Sequence, residues 1–143
     1  MKLYSARHGE SEANVQRIHW NQPHGYGLTD KGRAQAASLA DRLAGVQFAT
    51  LYCSPTLRAV QMAQIVGRQL DLTPQVVDAL RERDVGILEG TGIESPGPAW
   101  QTSVQWMQHD NHDARTEGGE SYALCCSSAG WKRCIATQSP TCC

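Results

Sequence analysis

The sequence predicts an α/β fold, and three observations predict it. A short apolar run, Leu3, Tyr4 and Ala6, reads as a buried strand that leads straight into Arg7-His8-Gly9. Two segments with helical apolar spacing follow, and each gives way to another strand-like run. Strands alternating with helices belong to sheets layered with helices, and the end of such a strand is where open α/β sheets bind ligands.

The first strand ends on the chemistry. Gly9 is expected to let the backbone turn sharply away. A histidine beside an arginine there suits phosphate, because imidazole can attack phosphorus while guanidinium grips two oxygens. Taken alone, His8 reads better as a surface or capping histidine. Asn14 alone reads as a helix or turn asparagine. Arg17 to Gly27 is a loop rich in His, Asn, Pro and Gly, in which the roles of His19, Trp20 and His24 stay open.

Thr29 is a good N-cap for the first long helix, and Asp30 sits where the helix dipole favours an acid. Ala36, Leu39, Ala40 and Leu43 form its buried stripe, and Gly45 is its expected stop. Phe48 to Cys53 reads as the second strand. Ser54 and Pro55 then open another helix as N-cap and first helical residue, with Val60, Ala63, Val66 and Leu70 as the core face. Arg58 falls in its first turn, whose free amides favour anions. Pro74 to Val77 is a short third strand. Glu82 by itself reads as an exposed loop acid paired to Arg81 or Arg83. Trp100, Val104 and Met107 have core spacing, and His109 with His112 reads as a solvated loop rather than a metal site.

Composition narrows the function classes. A chain of 143 residues is long enough for one domain with a proper core. Thirteen basic residues stand against fourteen acidic ones, so no nucleic-acid or membrane surface is implied. The start is not a signal peptide and no apolar run spans a bilayer, so the expected location is cytoplasmic.

Four stretches, in order, carry a resemblance to a known family. They are Arg7-His8-Gly9-Glu10-Ser11 with Asn14, Cys53-Ser54-Pro55-Thr56-Leu57-Arg58-Ala59, Leu80 to Gly90, and Gly118-Gly119-Glu120-Ser121. Together they resemble the histidine phosphatase (phosphoglycerate mutase-like) superfamily. The resemblance implies a three-layer sandwich with a mostly parallel sheet flanked by helices. It implies that His8 is the catalytic nucleophile and Glu82 the catalytic proton donor. It also implies that Arg7, Asn14 and Arg58 bind phosphate, that no metal or other cofactor is needed, and that the partner is a small phosphorylated substrate. Glu89 reads as structural. In relatives the 17–27 loop often carries a Gly-Trp pair at the substrate, whereas here Trp20 precedes Asn21-Gln22-Pro23.

The resemblance covers about residues 1–123, read as a partial family domain. Relatives continue with a helix and an apolar strand ending in a second catalytic histidine, but no histidine follows His112 here. Residues 124–143 instead hold Cys125, Cys126, Cys134, Cys142 and Cys143 and no acid, while Cys53 is the only earlier cysteine. A frameshift or truncation near residue 123 is the expectation, with residues 124–143 an aberrant tail. Adjacent cysteines meet structural zinc geometry poorly, so adventitious thiols are the better reading. In relatives the strand with the second histidine separates the first two strands. The expectation is therefore that Leu3 to Ala6 pairs directly with Thr50 to Cys53, or that the tail fills a gap between them.

The implied reaction is phosphomonoester hydrolysis through a phosphohistidine, impaired by the missing histidine. A phosphoglycerate mutase-type transfer is less favoured, because such mutases tend to carry an aromatic residue where Arg83-Asp84-Val85 stands. A relative that binds phosphate-like anions without turnover is the non-enzymatic alternative.

Overall fold

The computed structural model of the chain describes residues 2–93 and 115–121. Its centre is a pair of packed helices, one of which also packs on a parallel strand pair. The helix α1 (Glu12–Gln16) is short and fixed by its own ends. Ser11 accepts from the Asn14 amide, and Asn14 Oδ1 accepts from the Ser11 amide at 3.1 Å, a reciprocal capping box. Arg17 closes the helix in the left-handed conformation.

Helix α2 (Asp30–Leu43) starts where expected, with the Thr29 hydroxyl accepting from the Gly32 amide at 3.0 Å. Ala36 and Ala40 are buried beneath it. The first turn of α2 presses on the segment after His8. A Cβ added at Gly32 would lie 2.0 Å from the Glu10 carbonyl oxygen, and one at Gly9 would lie 2.6 Å from that of Gly32. This corrects the expectation for Gly9. It has no left-handed φ, and the position needs glycine for close approach rather than for a turn.

Strand β1 (Tyr52–Cys53) and strand β2 (Gln75–Val76) are shorter than the runs that predict them, but they pair in parallel as an α/β crossover requires. Helix α3 (Leu57–Leu70) is that crossover, and it packs on α2. Its N-cap is Thr56, not Ser54, so Pro55 stands in the turn before the helix. Ser54 Oγ lies 3.3 Å from the Thr56 hydroxyl and so braces that turn. Ala63 and Val66 of α3 and Cys53 of β1 are buried, and α3 packs on β1.

The first predicted strand is absent. Residues 2–10 form no strand, and Leu3 is 88% exposed. A strand exists through its pairing, and among the described residues β1 and β2 pair only with each other. Direct pairing of residues 3–6 with the second strand is therefore not observed. Tyr4 instead meets Phe48 edge to face, with ring centroids 5.2 Å apart.

Two short 3-10 turns, Asp78–Leu80 and Gly86–Leu88, follow β2, and residues 116–120 cover the 84–87 segment. The Glu120 amide donates to the Asp84 carbonyl at 2.9 Å, the Ile87 amide to that of Glu117 at 3.0 Å, and the Thr116 hydroxyl to that of Val85 at 2.6 Å. No described helix is long and apolar enough to cross a membrane. The expectations for Trp100, Val104, Met107, His109, His112 and the cysteines after residue 123 lie outside the described residues.

Candidate functional site

The fold brings the segment after residue 6 against the first turn of α3. The described geometry fixes the protonation of the histidine there. Arg58 Nε can only donate, and it lies 3.0 Å from His8 Nε2. Nε2 must therefore accept, which leaves the proton of the neutral ring on Nδ1. That nitrogen lies 2.7 Å from the Gly9 carbonyl oxygen, an obligate acceptor. The Gly9 carbonyl thus holds the tautomer and leaves the lone pair of Nε2 beside a guanidinium.

Electrostatics favour the same state. His8 is half-buried, and burial lowers its pKa. The Gly9 carbonyl and Glu82 oppose that shift, while Arg58 and Arg7 reinforce it. Arg58 is only 6% exposed. Burial and Arg7 lower its pKa, and Glu82 and Glu89 oppose them. A guanidinium stays charged through such a shift. Two more of the predicted site residues, Arg7 and Glu82, therefore act through space on both His8 and Arg58.

Glu82 lies between two arginines that bond Glu120. Arg81 grips the Glu120 carboxylate through two nitrogens, one at 2.7 Å, and Arg83 donates to the Glu120 carbonyl at 3.1 Å. Arg81 and Arg83, one or other of which is the expected partner of Glu82, thus both bond Glu120, and Glu82 is exposed between them. Asn14 is placed differently. Its amide oxygen is engaged by the Ser11 amide and hydroxyl, at 3.1 and 3.0 Å, so only its amide nitrogen is left for an anion.

Sequence reasoning missed the second bond of Arg58. A terminal guanidinium nitrogen donates to the Trp20 carbonyl at 2.8 Å, tying α3 to the 17–27 loop. Trp20 in turn meets Tyr26 edge to face and donates from its indole nitrogen to the His24 carbonyl. A backbone acceptor leaves no mark in residue type, so nothing in the sequence could have announced it. Among the described residues no group of three or more His, Cys, Asp and Glu could hold a metal ion. The cations that act on His8 are Arg58 and Arg7.

The chain is also similar to known proteins. The family model for the histidine phosphatase superfamily (branch 1) matches residues 3–128. A 2,3-bisphosphoglycerate-dependent phosphoglycerate mutase of Brucella anthropi is 34% identical over 126 residues, covering 83% of this chain and 60% of that protein. The alpha-ribazole phosphatase structure from Shigella flexneri superposes with a TM-score of 0.74 at 27% identity, over 90% of this chain and 62% of the other. A mycobacterial glucosyl-3-phosphoglycerate phosphatase superposes with a TM-score of 0.67 at 25% identity, over 84% and 56% of the two chains. The chain spans about 60% of the length of the curated relatives it matches.

Proposed function

The chain belongs to the histidine phosphatase superfamily, and we propose that its site hydrolyses phosphomonoesters through a phosphohistidine on His8. One observation carries this reading. Arg58 Nε lies 3.0 Å from an unprotonated His8 Nε2, so a nucleophile and a phosphate-gripping cation share one spot. As phosphate binds, the Arg58 Nε–H turns from Nε2 to a phosphate oxygen, and the freed Nε2 lone pair forms a bond to phosphorus as the bond to the ester oxygen breaks. Arg7 and Arg58 offset the charge on its oxygens. Glu82 gives a proton to the departing alkoxide and then takes one from the water that cleaves the phosphohistidine. Asn14 adds an amide donor to the phosphate. The substrate is a small phosphorylated molecule, and the reaction suits a cytoplasmic setting.

The test is p-nitrophenyl phosphate turnover together with trapping of acid-labile label on the protein. Release of inorganic phosphate and label lost in His8→Ala support the reading. Phosphate binding without label or turnover would favour the non-catalytic alternative. A polypeptide of these 143 residues has no histidine beyond His112. Loss of one preorganised electrostatic group typically costs ~10²–10³ in turnover, so this polypeptide is expected to be a weak catalyst.

A mutase reading is favoured by the name of the 34% identical relative. Label moving between two positions of a phosphoglycerate, without release of inorganic phosphate, would select it. Arg83 stands where such mutases tend to carry an aromatic residue, which favours hydrolysis.

A further inference from the structure

A single peptide unit beside the site is clamped from both sides. The Trp20 carbonyl accepts from Arg58 at 2.8 Å. The amide of the same unit, on Asn21, donates to both carboxylate oxygens of Glu89, at 3.0 and 3.1 Å. The Asn21 side chain adds a bond to the Arg83 carbonyl at 2.8 Å, next to Glu82. The backbone also joins here, with the Gly90 amide donating to the His19 carbonyl at 2.8 Å. One oriented dipole therefore stands between a cation and an anion that also act on each other through space. The groups facing Glu89 are Arg58, Asp84, Gln22 and the Asn21 amide.

We propose that Glu89 is a positioning residue. It orients the Trp20–Asn21 peptide, which holds the Arg58 guanidinium with Nε on His8. Two observations separate this role from simple packing. The carboxylate is spent on the very peptide whose carbonyl Arg58 uses. A guanidinium held at only one terminal nitrogen could rotate, whereas with His8 on Nε and Trp20 on a terminal nitrogen its plane is fixed. The role rests on the phosphate-site reading only for its effect on turnover, since the effect on His8 is read directly.

The experiment is NMR titration of His8, with inorganic phosphate as the binding probe, in the wild type, Glu89→Gln and Glu89→Ala. The groups facing His8 are Arg7, Arg58, Glu82 and the Gly9 carbonyl. In Glu89→Ala the His8 midpoint should move up toward the ordinary imidazole value as Arg58 leaves Nε2, and phosphate should bind about 10-fold more weakly. Glu89→Gln keeps an oxygen for the Asn21 amide, so its midpoint and phosphate affinity should stay near wild type. A catalytic centre misplaced by such a change loses up to ~10²-fold in turnover, seen in kcat more than in KM. An unchanged His8 midpoint in Glu89→Ala, with only thermal stability reduced, would overturn the proposal. So would a Glu89→Gln variant that folds yet behaves like Glu89→Ala. If wild type binds no phosphate while the His8 midpoint still responds, the phosphate-site reading fails and the positioning role stands.

Discussion

At the scale of single residues, His8 sets the pH behaviour. In the proposed reaction its reactive form is neutral, and burial with the help of Arg58 and Arg7 lowers its pKa from 6.5. The acid limb of kcat/KM should therefore fall below 6.5, and Arg58→Ala should move it up while costing about 10²–10³ in turnover. Arg58→Lys should recover little, because a lysine cannot reach Nε2 and the Trp20 carbonyl together from one rigid plane. An acid limb unmoved in Arg58→Ala would count against the pairing. The same shift has a sign for stability. The folded pKa is depressed, so the unfolded chain takes up the proton first. His8 costs nothing above 6.5, and its burden grows as pH falls from 6.5 through the folded value. Non-titrating His8→Gln should lose part of the acid sensitivity in thermal unfolding. The sequence showed which residues meet, since Arg-His-Gly-Glu-Ser and Ser-Pro-x-x-Arg-Ala carry chemistry in their side chains. It did not show the tautomer, which depends on the Gly9 carbonyl, a group every residue has.

At the scale of elements, the segment carrying Glu82 is shaped by residues that arrive from far along the chain. Glu120 binds Arg81, the Asp84 amide and, through its own carbonyl, Arg83. Gly86 sits at φ 55°, and a Cβ there would lie 2.2 Å from the Glu117 carbonyl oxygen. Gly86→Ala should cost at least the ~1–2 kcal/mol of a left-handed alanine, and more from the backbone clash. Glu120→Gln should cost about 1 kcal/mol, since the pair is partly exposed, and it should slow turnover by displacing Glu82. Equilibrium unfolding and steady-state kinetics check both, and a Glu120→Gln variant with wild-type kcat would separate the clamp from catalysis. Hydrogen bonding to Arg81 holds the Glu120 pKa low, so the contribution of the clamp is present above the ordinary carboxylate range and lost as pH falls through the depressed value. Gly-Gly-Glu-Ser was legible as a motif. Its register against residues 84–87 was not, because no local pattern encodes which distant carbonyl an amide will find. Helix α2 was legible to its cap because Thr29 and Asp30 act within one turn. The start of α3 was misread by two residues, because Ser54 could cap equally well in sequence but is spent on the turn that Pro55 bends.

At the scale of the whole molecule, the parallel order of β1 and β2 follows from the strand–helix–strand pattern, but the fate of Leu3 to Ala6 does not. Its apolar side chains signal a buried strand, and a strand needs partners that lie elsewhere in the chain. Among the described residues it has none, and Leu3 and Tyr4 stand in solvent. Apolar surface left in water forgoes roughly 25 cal/mol per Å², and backbone groups there must hydrogen-bond to water rather than to a ladder. Amide exchange on a polypeptide of these 143 residues should therefore be fast at positions 3–6 and slow within α2 and α3. The same polypeptide joined to the C-terminal portion of a full-length relative would gain the strand that carries the second histidine. If that strand docks beside residues 3–6, their amides should become protected, thermal stability should rise, and phosphatase turnover should increase by the ~10²–10³ assigned to the added electrostatic group. The two readouts should move together, because the strand that supplies the histidine also pairs the segment leading into His8. Protection at positions 3–6 before any addition would show that another part of the chain already pairs them. A gain in stability without a gain in turnover would place the limit on catalysis in the Arg58–His8 geometry instead.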